Sequence, residues 1–139
     1  MIHYMLDTDI CSYIIRERPI EVFEHFETLK MDQLCISVVT YAELIYGVEH
    51  SSSKKINRSI VDQFVKHLSI IDWDKKAAEH YGNIREFLQV KGNAIGAMDM
   101  MIAAHARSQK MILVTNNEKH FKRVPKLKVE NWARENIID

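Results

Sequence analysis

The stretch IGAMDMMIAAHARSQKMILVT, residues 95–115, runs an apolar helix directly into an apolar strand. Its first fifteen residues carry Ala, Ile and Met on every face, the pattern of a helix surrounded by protein. MILVT (111–115) is short, rich in β-branched residues and bounded by polar ones, as a strand buried on both faces would be. A helix feeding a buried strand is the repeating joint of a parallel sheet, whose crossovers need helices.

Working outward, the alternation recurs. IHYML (2–6) reads as a strand, and residues 8–16 as a helix capped by Asp7, Thr8 or Asp9. A helix is expected over 21–30 and a second strand over QLCISVV (33–39). TYAELIYGVEH (40–50) reads as a helix closed near Gly47, SSSKK (51–55) as a loop, and residues 56–68 as an amphipathic helix. SIIDW (69–73) predicts a third strand, residues 75–90 a helix, and LKVENW (127–132) a weak last strand. The expected fold class is α/β: one domain over 1–139, with a central, mostly parallel sheet flanked by helices on both faces. In such sheets, sites form beyond the carboxyl ends of the strands, where Asp7 and Thr115–Asn117 fall.

The composition agrees, with 47% hydrophobic and 27% charged residues in a chain of 139, and only four Gly and two Pro. That excludes disorder and low-complexity repeats. Cys11 and Cys35 are too few for a disulfide scaffold and read as buried thiols in a reducing compartment. No basic leader precedes an apolar stretch, and no apolar run is long enough to span a bilayer. The expected location is the cytoplasm.

Net charge is zero, but its distribution is lopsided. Residues 1–50 hold three basic against nine acidic residues, a balance of −6, which leaves +6 for residues 51–139. The basic excess gathers where Arg107, Lys110, Lys119, Lys122, Arg123, Lys126 and Lys128 face only Glu118. Such density suits contacts to phosphates, although a charge run alone also describes a solvated face.

The acids stand in unexpected places. Asp99 lies among ten Ala, Ile, Met and Gly residues in AIGAMDMMIAA (94–104), so water should be largely excluded from it. An isolated buried carboxylate must be protonated, paired, metal-bound or used as a helix cap. Glu43, in TYAELIYG, is flanked by Ala42, Leu44 and Ile45, and Asp7 closes the first strand. Alone, Glu43 reads equally as a surface glutamate and Asp7 as an N-cap. Three acids converging from separate elements would repel unless a hard cation such as Mg²⁺, which prefers oxygen ligands, sat between them. No spacing for zinc ligands, a Walker loop or a dinucleotide motif occurs.

The blocks MLDTD, ISVVTYAEL, IGAMDMMIAAHA and LVTNN together resemble the PIN-domain ribonucleases, and more narrowly the VapC toxins of toxin–antitoxin pairs. The resemblance spans residues 2 to 132. It implies a Mg²⁺- or Mn²⁺-dependent endoribonuclease that inhibits translation, with Asp7, Glu43 and Asp99 as metal ligands and Thr115 beside them. Many PIN domains carry a fourth acid two residues past that threonine; here the position is Asn117, which brings no charge. Asp9 departs from the asparagine common at its position. The resemblance further implies structured RNA as substrate, often the anticodon stem-loop of initiator tRNA, and 5′-phosphate and 3′-hydroxyl ends. Arg107, Lys110, Lys119, Lys122 and Arg123 would grip its backbone. It implies a VapB-like antitoxin covering the site with an extended tail, and a homodimer to which the faces of 21–30 and 56–68 contribute. His105 reads as structural or RNA-contacting, and Trp73 and Trp132 as packing residues.

Two other classes compete. DTD after an apolar strand imitates the D-x-D of haloacid-dehalogenase-like phosphohydrolases, although Asp99 has no second acid beside it. A receiver domain fits less well, with only Asp72 as a phosphoacceptor. A non-catalytic module that holds RNA or protein is the alternative Asn117 favours.

Overall fold

The computed structural model describes residues 3–133. Five strands, β1 (Tyr4–Leu6), β2 (Leu34–Ser37), β3 (Ser69–Ile71), β4 (Ile112–Val114) and β5 (Lys128–Glu130), lie in the order β3-β2-β1-β4-β5. Every neighbouring pair is parallel. The described helices are α1 (Thr8–Arg16), α2 (Ile20–Glu27), α3 (Val38–His50), α4 (Lys54–Val65), α5 (Lys75–Lys91), α6 (Ala97–Ser108) and α7 (Glu118–Phe121).

Alternation along the strands makes two cores. Leu6, Ile36 and Val114 point to one face and pack with Ile10 and Ile14 of α1, Val22 and Phe26 of α2, and Val61 and Phe64 of α4. Their neighbours Met5, Cys35 and Leu113 point the other way, onto Ile84 and Leu88 of α5 and Ile102, Ala103 and Ala106 of α6. Both cysteines are buried free thiols. Trp132 is buried beneath His25, which stacks on its ring at 4.2 Å, and the indole of Trp73 donates to the Met101 carbonyl at 3.0 Å. No helix among the described residues is long and apolar enough to cross a membrane.

Several boundaries differ from expectation for local reasons. The second strand stops at Ser37, whose Oγ accepts the Val39 amide at 3.1 Å and caps α3, drawing Val38 and Val39 into the helix. That helix passes through Gly47 to His50, because burial of Leu44 and Val48 outweighs the roughly 1 kcal/mol cost of an internal glycine. The loop after it ends at Ser53 rather than residue 55, since α4 starts at Lys54. Residues 94–104 are not all core. Gly96 caps α6, its first turn lies at the surface with Met98 39% exposed, and unbroken burial begins only at Ile102. A 3₁₀ turn at Met31–Gln33 and the short α7 were not anticipated. Residue 2, assigned to the first strand, lies outside the described residues.

The topology fixes where a site belongs. From β1 the sheet grows through β2 to β3 on one side, and from β4 to β5 on the other. The strand order reverses between β1 and β4, opening a crevice at their carboxyl ends.

Candidate active site

Asp7 and Thr115 flank that crevice, each one residue beyond its strand. The Asp7 amide donates to the Val114 carbonyl at 3.0 Å, extending the ladder to the rim. The Asp7 carboxylate caps α1 by accepting the Ile10 amide at 2.9 Å, so the first turn of the helix holds it in place. It is 5% exposed, and Thr115 beside it is fully buried. Burial pushes the Asp7 carboxyl up to about 7, against the bonds from Thr115 and Ile10 and with further help from Asp9 and Asp99.

Asp99 sits in the first turn of α6, half-buried. It accepts no hydrogen bond from the described residues and does not cap its helix. Burial raises its carboxyl above the usual range, as do Glu43 and Asp9, while His120 acts in the opposite sense. Glu43 projects from α3 and accepts the Thr8 hydroxyl of α1. The structure therefore brings Asp7, Asp99, Glu43 and Asp9 within electrostatic reach of one another. Among the described residues none of the four forms an ion pair with a Lys or Arg, and only His120 acts on Asp99 against the repulsion.

Asn117 is placed differently from the acids. Its amide N–H donates to Thr115 Oγ1 at 2.9 Å, and its side chain turns to His120 Nδ1 at 2.9 Å. Sequence reasoning missed Thr8 and His120. The signal for Thr8 was its position between two acids; for His120 it was the i, i+3 spacing from Asn117, visible only once residues 118–121 are known to be helical.

The expected RNA-contacting residues divide into two groups. Lys119, Lys122 and Arg123 lie on or just after α7, on the carboxyl side of β4; Lys122 pairs with Glu118 at 3.8 Å, and Arg123 reaches the Ala94 carbonyl. Arg107 and Lys110 lie at the opposite end of β4. Arg107 is a structural clamp, bonding His80 at 2.9 Å, Asn83 at 2.7 Å and the Pro125 carbonyl at 3.0 Å. His105 is fully buried with Nδ1 2.7 Å from Ser37 Oγ, so its role is structural and it does not face RNA. Burial holds its imidazole below the usual range.

The donor set bears on what the acids could hold. Among the described residues, no three His, Cys, Asp or Glu side chains are arranged to hold a metal ion as they stand. Their chemistry nevertheless fits a hard divalent cation: oxygen donors from three elements, uncompensated charge, and raised carboxyls that a cation would relieve. Glu43 is turned to the Thr8 hydroxyl.

An apolar groove leads toward this centre. A cavity of about 520 Å³ between α1, α2 and α4 is lined by Ile15, Phe23, Phe26, Ile60 and Phe64. It continues past Ile15 and Ile60 into a second hollow of about 550 Å³, lined by Thr8 and Glu43.

The PIN-domain family profile matches residues 4–127. The tRNA(fMet)-specific endonuclease VapC of Shigella flexneri is 44% identical over 96% of this chain and 100% of its own length. Ribonuclease VapC2 of Haemophilus influenzae shows the same identity and coverage. Among solved structures, the DNA-bound VapBC of Salmonella typhimurium superposes with a TM-score of 0.89 at 40% identity, covering 95% of this chain and 99% of that one. VapBC2 of Rickettsia felis, bound to a promoter fragment, gives 0.87 at 43%, with the same coverage.

Proposed function

Since the chain belongs to the PIN-domain family, within the VapC ribonucleases of toxin–antitoxin systems, we propose that it is a divalent-metal-dependent endoribonuclease cutting a structured RNA, with initiator tRNA as the first candidate. The observation that carries this reading is the set of mutually repelling carboxylates at the switch point between β1 and β4, none of them in an ion pair with a Lys or Arg among the described residues.

Asp7, Glu43 and Asp99 would hold Mg²⁺ or Mn²⁺. When bound, such an ion polarises the phosphodiester and acidifies water for in-line attack. The protein's own contribution is orientation and proton handling. Thr115 and the Ile10 amide fix Asp7, and Thr8 steadies Glu43. Asp99, solvated on one side and unbonded, accepts the proton of the attacking water. Cleavage of the bond to the 3′ oxygen then leaves 5′-phosphate and 3′-hydroxyl ends. Asn117 donates its amide N–H to Thr115 and brings no charge of its own to the centre.

A VapB-type antitoxin is the partner. The groove from Phe23 and Phe64 to Glu43 suits an extended segment with apolar anchors that ends over the acids. Exposed Ile56, Ile60 and Ile20 supply apolar surface for a homodimer.

The test is incubation of a total small-RNA pool with antitoxin-free protein in Mg²⁺, in EDTA, and with Asp7→Asn. Discrete fragments in the first lane alone, mapping to one tRNA, are expected. An intact pool from folded protein would return the reading to a non-catalytic RNA-binding module.

A further inference from the structure

Away from the acids, at the amino-terminal end of β4 and β5, a notch of about 190 Å³ is lined by Arg107, Lys110, Met111, Lys126 and Lys128. Four cations share one small concavity, and among the described residues no carboxylate lines it. The two ion pairs found among those residues, Arg58–Asp62 and Lys122–Glu118, lie elsewhere. Arg107 is held by His80, Asn83 and Pro125, which are all neutral acceptors, so its position is fixed and its charge is left unbalanced. Lys110 and Lys126 sit in the turns entering β4 and β5 with φ of 57° and 62°, a conformation that favours glycine. In both turns a lysine is present instead.

We propose that this notch is a second RNA-binding site, which grips the phosphodiester backbone of the substrate outside the segment being cut. The inference rests on the ribonuclease reading above and extends it. Fixed, uncompensated positive charge in a concave site recognises phosphate, and Arg with several Lys is the usual donor set for it. The acidic centre repels RNA, so affinity has to come from elsewhere on the surface. Strand β4 spans three residues, which separates notch and acids by about 10 Å along the strand axis. An RNA that follows the β5 edge from the carboxyl end of the sheet to its amino end meets both.

The experiment compares wild-type chain with the combined Lys110→Gln, Lys126→Gln and Lys128→Gln variant. All three side chains are exposed, and none belongs to the acidic centre. Binding of fluorescently labelled full-length initiator tRNA is measured in EDTA across a salt series, so that no cleavage contributes. The slope of log K against log salt is expected to flatten by about two to three, roughly one for each phosphate that a removed lysine had neutralised. In Mg²⁺, KM for full-length tRNA should rise about tenfold or more with kcat unchanged, while the isolated anticodon stem-loop is cut as before. A triple lysine-to-arginine variant should restore the slope.

An unchanged salt slope would overturn the proposal, and equal losses on stem-loop and full tRNA would overturn the placement outside the cut segment. Weakened binding of the antitoxin with RNA binding unaffected would assign the notch to an acidic protein segment instead. If the wild type neither cuts nor retains initiator tRNA, it is the substrate reading that fails. Total cellular RNA in EDTA then becomes the probe, and the lysine variant must still lose salt-dependent retention for the notch to stand.

Discussion

Asp7 combines a local and a chemical role: its carboxylate caps α1 and is also one of the acids of the centre. The two roles pull in opposite directions, because capping needs only an acceptor whereas cation binding needs a charge. Burial raises the folded-state carboxyl to about 7 from an ordinary value of 3.8, so the fold prefers the protonated form. Asp7 therefore costs nothing below about pH 4 and penalises the metal-free fold increasingly as pH rises to about 7. A shift of this size corresponds to a penalty on the order of 4 kcal/mol at its maximum. Asp7→Asn keeps the acceptor for the Ile10 amide and removes the charge. In EDTA, denaturant melts should therefore show the variant gaining on the wild type between pH 4 and 7, with added Mg²⁺ narrowing the gap. Parallel stability profiles over that range would show that Asp7 is not strained by its charge. Of the acidic centre, the acids themselves were legible in sequence because an acid inside an apolar run is conspicuous. Thr8 and His120 were not, since their roles come from contacts made only after folding, such as Thr8 to Glu43 and His120 to Asn117.

At the scale of elements, α6 matters most, because its first turn carries Asp99 and its last turn carries Arg107. Arg107 ties that end to α5 through His80 and Asn83, and to the segment before β5 through Pro125. Sequence pattern placed Arg107 among RNA contacts; a basic stretch gives no sign that its guanidinium is also held by His80, Asn83 and Pro125. Arg107→Ala removes three charge-assisted bonds and should destabilise the fold by about 2–3 kcal/mol, measured by urea denaturation. Arg107→Lys should recover little, since an ammonium does not reproduce the planar fork. Wild-type stability in the alanine variant would mean the clamp is ornamental to the fold. The central elements were legible because β1, β2 and β4 lie in apolar runs and the helices are periodic. Their ends depended on single capping atoms such as Ser37 Oγ, and periodicity does not report those.

The whole molecule separates its charges. The acidic amino-terminal third supplies Asp7, Asp9 and Glu43, and the basic carboxyl-terminal part supplies the notch and the α7 lysines. Parallel topology brings the two parts together, since β1 of the first lies beside β4 of the second. The sequence showed this imbalance, but not that Arg107 and Lys110 would lie at one end of β4 with Lys119 and Lys122 at the other. That division follows from strand direction, which only the pairing reveals. The acids at the switch point are expected to act as one cation site. Calorimetric titration of Mn²⁺ into antitoxin-free protein at pH 8 measures it most directly. Saturable binding by the wild type is expected, weakened at least about tenfold in Asp7→Asn and in Asp99→Asn while both variants stay folded. Equal affinity in all three proteins, or no binding by the folded wild type, would contradict the account.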